Sequence, residues 1–257
     1  MKWILTLLFG VCFSTSLFPH DMYIRPRFDE RNQVSLAMFV EKEEVVWFES
    51  MTAGLRMDGP SGEAELKVPE EGDPVVEFAE EGTYVIGWQS ERLFIQIEPD
   101  IFKKYVSLEG YKDALDLMKK TAQENKPGRE FYTRFIKSFV QVGSTPTNDF
   151  NRPFGFKIEI IPLKNPCALR LNEDLEVQVL YEGRPLAGRR IMATYDSYST
   201  RPEDYAQVTN TDQDGIARFR ITNKGFWLIR TNQMLALEHH SDADWQSFWA
   251  NFTFEVK

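Results

Sequence analysis

The only imidazoles in this 257-residue chain are His20, His239 and His240. Carboxylates stand beside them, in His20-Asp21 near the N-terminus and in His239-His240-Ser241-Asp242 near the C-terminus. Imidazole nitrogen suits borderline divalent ions, and carboxylate oxygen can complete their coordination. If the two chain ends converge, His20, Asp21, His239, His240 and Asp242 would form one site. Its ion would be a divalent transition metal, nickel or cobalt first, with copper and zinc as alternatives. The same spacing also fits two solvated polar loops. Two N-terminal copper motifs fit poorly. An amine-and-amide chelate at Phe18-Pro19-His20 fails because Pro19 has no N–H to give up. A histidine brace would require cleavage between Pro19 and His20.

Other chemistries find fewer parts. The sequence has no Gly-x-Ser-x-Gly elbow, Cys-x-x-Cys, His-Glu-x-x-His or Gly-rich dinucleotide loop. Asp212-Gln213-Asp214-Gly215 lacks the ligand ladder and closing Glu of a calcium loop. Carboxylates are plentiful, but spacing along a chain cannot place a glycosidase pair. The expectation is therefore a non-enzyme. Cys167 reads as a small buried hydrophobe rather than a thiolate ligand.

Hydrophobic residues make up 42% of the chain and charged residues 27%, a globular balance, and the formal charge is −9. A net acidic surface repels phosphate backbones, so nucleic acid is not an expected partner. Lys2, the apolar run from Trp3 to Phe13, and Ser14-Thr15-Ser16 have the pattern of a cleaved secretory signal over residues 1–16. The run is too short to span a bilayer, which needs about 20 apolar residues. Lipidation at Cys12 is disfavoured by Val11 before it. Cleavage after Ser16 would remove Lys2 and Cys12, take the charge from −9 to −10, and leave Cys167 without a disulfide partner. The mature chain is expected to be periplasmic or secreted, with no transmembrane segment.

The elements that must position these residues read mostly as strands. Short apolar or alternating runs at 34–40, 64–68, 83–88 and 93–97 lie between Gly- and Pro-containing turns. Helical spacing then follows Pro99, in three groups: Phe102, Tyr105 and Leu108; Ala114, Leu115 and Met118; Phe131, Phe135 and Phe139. The stretch carries more basic than acidic residues, which suits a solvated face or a surface for an acidic partner. Strand patterns resume at 175–180, 190–195, 216–221 and 247–256, with Asp214-Gly215 as a turn. Trp245 and Trp249, four apart, suit a helical turn before the last strand. Their bulk suits core packing, with carbohydrate stacking as the alternative. The fold class predicted is mainly β. Two immunoglobulin-like or transthyretin-like β-sandwich lobes, 17–98 and 144–257, would flank a three-helix insert at 99–143.

Four segments resemble one known family. They are His20-Asp21-Met22-Tyr23-Ile24-Arg25-Pro26, Glu81-Gly82-Thr83-Tyr84-Val85-Ile86, the run from Lys126 to Arg134 with Val142-Gly143, and Asp242 to Ala250 with Thr253-Phe254. The chain is similar over about residues 20–257 to a bacterial domain-of-unknown-function family often described as a periplasmic component of nickel or cobalt uptake (NikM-type). The resemblance implies a non-catalytic periplasmic protein that handles a metal ion, with a membrane transporter as partner. It makes His20, which matches the family's leading histidine, the first ligand. The chain departs from the family's pattern after Trp227-Leu228, where Gln233-Met234 stands in place of a His-Met pair. His239 and His240 would have to substitute. The alternative is a structural or adhesion-like module that binds a protein or glycan without metal.

Overall fold

The computed structural model describes residues 21–29, 33–47, 49–201 and 203–257. The expected signal segment and His20 lie outside these residues. The N-terminal half contributes β1 (Met22–Phe28), β2 (Val34–Val40), β3 (Glu43–Val45), β4 (Thr52–Asp58), β5 (Ala64–Glu65), β6 (Val75–Val76), β7 (Gly82–Ser90) and β8 (Leu93–Ile97). Two helices follow, α1 (Pro99–Leu108) and α2 (Lys112–Lys120), and then the long strand β9 (Gly128–Val142). The remainder forms β10 (Ile158–Pro162), β11 (Asp174–Tyr181), β12 (Arg184–Pro185), β13 (Arg190–Tyr195), β14 (Gln207–Asn210), β15 (Ile216–Arg220), β16 (Gly225–Ala236) and β17 (Trp245–Val256). The protein is mainly β, as expected.

A nine-stranded sheet forms the middle layer, in the order β14-β13-β16-β17-β9-β7-β4-β5 with β8 also on β9. Its centre is a parallel pair, β17 with β9, in register from Trp245 opposite Glu130 to Thr253 opposite Ser138. Parallel pairs are usually covered on both faces, and both strands are largely buried here. Side chains alternate across the layer. On one face Ile136 and Val140 of β9 and Tyr84, Ile86 and Trp88 of β7 pack on β1 and β2. On the same face, further along, Trp245 and Trp249 of β17 pack on Phe102, Tyr105 and Met118 of the helices. On the other face Phe135, Phe139, Phe252 and Phe254 pack on Ile158, Val177, Val179 and Phe219, which belong to the sheet of β10, β11 and β15.

Three expectations differ from the structure. The insert holds two helices rather than three, because residues 128–142 form the longest strand. Phe131, Phe135 and Phe139 are spaced by four, which is one helical turn but also two strand repeats, so they share a strand face as readily as a helix face. The full 15-residue stretch decides the matter: Ile136, Ser138 and Val140 are buried on one side, and Phe135, Lys137 and Phe139 on the other. A stretch buried on both faces is a sheet-centre strand. For the same reason the two-lobe layout is not drawn by the strands. β9 joins β7 and β4 of the N-terminal half to β17, β16 and β13 of the C-terminal half in one sheet. Trp245 and Trp249 lie in β17 rather than on a helical turn, and both are core residues.

Candidate functional site

The face of the middle layer shared by β1 and the helices carries charge where they meet. Arg230 lies within β16, opposite Asn251 of β17, and is buried. Asn251 donates to the carbonyl of Met22, and Thr253 Oγ1 donates to that of Ile24, which anchors the start of β1 beside Arg230. Asp21, the residue before β1, is therefore carried against the arginine. From the other side comes the end of α1. Pro99 starts that helix, fitting its first turn, and Gly110, with φ of +78°, turns the chain toward α2. Glu109 at the helix end is buried beside Arg230.

The guanidinium is gripped from three directions. Nη2 and Nη1 donate to Glu109 Oε1 and Oε2 at 2.7 and 3.1 Å. Nε–H donates to the Tyr205 hydroxyl oxygen at 2.6 Å, and that hydroxyl donates onward to Asp21 Oδ2 at 2.7 Å. Asp21 Oδ1 lies 3.0 Å from Arg230 Nε, but the N–H points at Tyr205 instead, and Oδ1 accepts no hydrogen bond. Burial pushes the Asp21 carboxyl up, against the pull of Arg230. Burial also works against the Arg230 charge, but Glu109, Tyr205 and Asp21 together outweigh it and hold the guanidinium well above its ordinary value. Arg189 and Arg190 complete the helix end by donating to the carbonyls of Glu109 and Leu108. Cations are favoured at a helix C-terminus.

This cluster floors a crevice of about 470 Å³. Leu108, Met192, Tyr198 and Val208 give it apolar walls, and Glu41, Arg190, Arg201, Glu203 and Asp204 line it with charge. A smaller cavity of about 50 Å³ adjoins it, sharing Asp21, Glu41, Arg201 and Asp204, and adds Tyr23, Tyr195 and Phe226. Arg201 forks onto Asp204 with two bonds of 3.0 Å, and Ser199 Oγ donates to the same carboxylate at 2.7 Å, which fixes the loop of the rim.

A second buried carboxylate sits further along the same face. Glu130 Oε1 accepts from the hydroxyls of Ser247 and Tyr105, while Oε2 has no partner. Trp249 Nε1 donates to Ser247 Oγ at 2.8 Å. Burial pushes the Glu130 carboxyl up to about 7. Arg134 and Arg230 both lie 5.3 Å from the Trp249 ring centroid, so Trp249 bridges the two buried charge clusters.

The residues expected to hold a metal are placed as follows. Asp21 belongs to the Arg230 cluster. His239, His240 and Asp242 lie in the exposed connection between β16 and β17, with His240 edge-on to Phe131 and its Nδ1 accepting from the Asp242 N–H. That connection starts six residues beyond Arg230, about 20 Å along the strand at ~3.3 Å per residue. The structure does not bring Asp21 together with His239, His240 and Asp242. Among the described residues no group of three His, Cys, Asp or Glu could hold a metal ion. His20 lies outside the described residues. Cys167 packs against the core of the β10–β11 sheet, and burial pushes its thiol up to about 12, so it is no thiolate at neutral pH. Sequence reasoning named Asp21 but missed Glu109, Tyr205 and Arg230. One signal was available: Arg230 interrupts the otherwise apolar run Phe226-Trp227-Leu228-Ile229 of a strand.

A family model described as "Domain of unknown function (DUF4198)" matches residues 18–234. That description gives no activity, metal or transport role. No curated protein matches the chain. Among solved structures, the D0-D1 domain of intimin is 9% identical, covering 92% of this chain and 98% of its own, with a TM-score of 0.22. Fibronectin(III)-like modules of Clostridium thermocellum CbhA are 8% identical, covering 92% of this chain and 94% of their own, with a TM-score of 0.21. At these scores the likenesses carry no argument about function. Among the described residues no helix is long and apolar enough to cross a membrane.

Proposed function

We propose that this chain, which belongs to the DUF4198 family, is an exported, non-catalytic β-sandwich module that binds a partner in the crevice above Asp21, Tyr205 and Arg230. One observation carries this reading: Asp21, only 7% exposed and held by Arg230 and Tyr205, lines both cavities. The ion pairs beneath hold the carboxylate in place before the ligand arrives, so little ordering remains to oppose binding. The crevice also falls within the ~300–1,000 Å³ usual for ligand sites. A thermal-shift panel of amines, carboxylates, sugars and short peptides tests the reading. Stabilisation by one class, weakened by Tyr198→Ala on the crevice wall, supports it. A flat panel, or stabilisation indifferent to that variant, overturns it.

Transition-metal handling, with nickel or cobalt uptake through a membrane transporter, stands as a second proposal. Its support is the solvent exposure of His239 and His240, together with His20 beside Asp21 in sequence. Calorimetric titration with nickel, cobalt, copper and zinc at about pH 7.5 and 5.5 tests it. Neutral imidazole is the ligand, so binding must weaken as pH falls through about 6.5. Heats unchanged in the His20→Ala/His240→Ala double variant contradict it.

A further inference from the structure

We infer that the crevice recognises an organic cation, an ammonium or guanidinium group on an apolar stem, either free or as a basic side chain of a peptide. The inference rests on the binding role just proposed and names the chemistry of the ligand.

Among the described residues that line the crevice, five carboxylates stand against three guanidiniums, so the lining is net negative and suits a cation. A carboxylate or phosphate ligand would add to that negative excess. The cationic side chains around the crevice are already engaged. Arg230 forks onto Glu109, and Arg201 onto Asp204. Arg190 donates to the Leu108 carbonyl, and Lys42 to that of Ser199. An anion would have to compete with these bonds. The Glu203 carboxylate adds negative charge at the exposed rim.

The walls supply the second half of the match. Tyr198 is 44% exposed and meets Tyr195 edge-to-face at 5.6 Å, while Leu108 and Val208 are 43% and 53% exposed. Aromatic faces attract cations through the ring quadrupole, and aliphatic surface suits the methylene stem of a lysine, arginine or polyamine. The protein already uses this pairing within the cluster, where the Arg230 guanidinium lies 4.8 Å from the Tyr205 ring centroid. Buried carboxylate, aromatic wall and apolar edge thus converge on one ligand type.

Isothermal titration of the intact chain with L-arginine amide, spermidine, a Gly-Arg-Gly peptide and succinate tests the inference. The cations are expected to bind and succinate is not. Stronger binding of Gly-Arg-Gly than of arginine amide and spermidine would identify a peptide source, and the reverse order a free amine. Asp21→Asn removes one negative charge from beneath the crevice and is expected to weaken the cations severalfold. That variant also disturbs a buried cluster, so Tyr198→Ala and Glu203→Gln on the accessible rim provide the second test, each expected to weaken binding severalfold. Succinate binding that falls in the Tyr198→Ala variant would overturn the cation class and leave the crevice as the binding site. Cation binding indifferent to all three variants would overturn both. No heat from any cation would overturn the inference, and the thermal-shift panel then judges the binding role separately.

Discussion

Replacing Glu130 by Gln should stabilise the protein at alkaline pH and have little effect in acid. In the folded chain, burial raises the carboxyl from its ordinary 4.5 to about 7. The folded state therefore binds this proton more tightly than the unfolded state. Below about pH 4.5 both states are protonated and the contribution is fully present. Between about 4.5 and 7 the unfolded chain ionises while the folded one does not, and stability is lost. Above about 7 both are ionised and the loss is complete. At 1.36 kcal/mol per pH unit, the interval amounts to about 3 kcal/mol as an order of magnitude. Gln keeps an oxygen to accept from Ser247 and Tyr105 but does not ionise, so it escapes the loss. The difference between Glu130→Gln and wild type should grow from near zero at about pH 4.5 to about 3 kcal/mol at pH 8. For a chain of this size that is roughly 6–12 °C in Tm. Urea unfolding followed by tryptophan fluorescence across that range measures it, and subtraction cancels the other carboxylates. Curves that run parallel at every pH, or a variant less stable than wild type at pH 8, would refute the reasoning.

Gly128→Ala should destabilise by about 1–3 kcal/mol, because a methyl there would run into the Phe102 ring where β9 passes under α1; thermal melts check it. The buried ion pair between Lys137 and Glu159 should behave asymmetrically. Lys137→Met alone strands a buried carboxylate and should cost about 3–5 kcal/mol, whereas Lys137→Met with Glu159→Leu should recover much of that loss; urea midpoints of the three proteins decide. Cys167 should resist alkylation in the native state at pH 8 and react quickly in denaturant, since burial pushes its thiol up to about 12; mass mapping of iodoacetamide-treated protein reports this residue by itself.

The strands were legible where alternation met turn chemistry. Val34–Val40, Ile216–Arg220 and the turn at Asp214-Gly215 stand where their patterns put them. β9 was misread because its phenylalanines recur at a spacing common to both periods and because burial on both faces erased the alternation. The shared sheet was hidden for a related reason. Parallel pairing of β9 with β17 joins residues more than a hundred positions apart, and no local pattern records that contact. Asp21 was visible beside a histidine, and its chemistry was assigned to a metal. Its observed partners, Glu109, Tyr205 and Arg230, come from a helix end, a loop and a strand centre, and no spacing connects them.

Backbone amide shifts in a ¹⁵N-labelled sample titrated with L-arginine amide test the binding account most directly. Shifts should gather at Leu108, Met192, Tyr198, Glu203 and Tyr205, and leave the connection holding His239 and His240 undisturbed. Shifts confined to that connection, or scattered with no focus at the crevice, would contradict it.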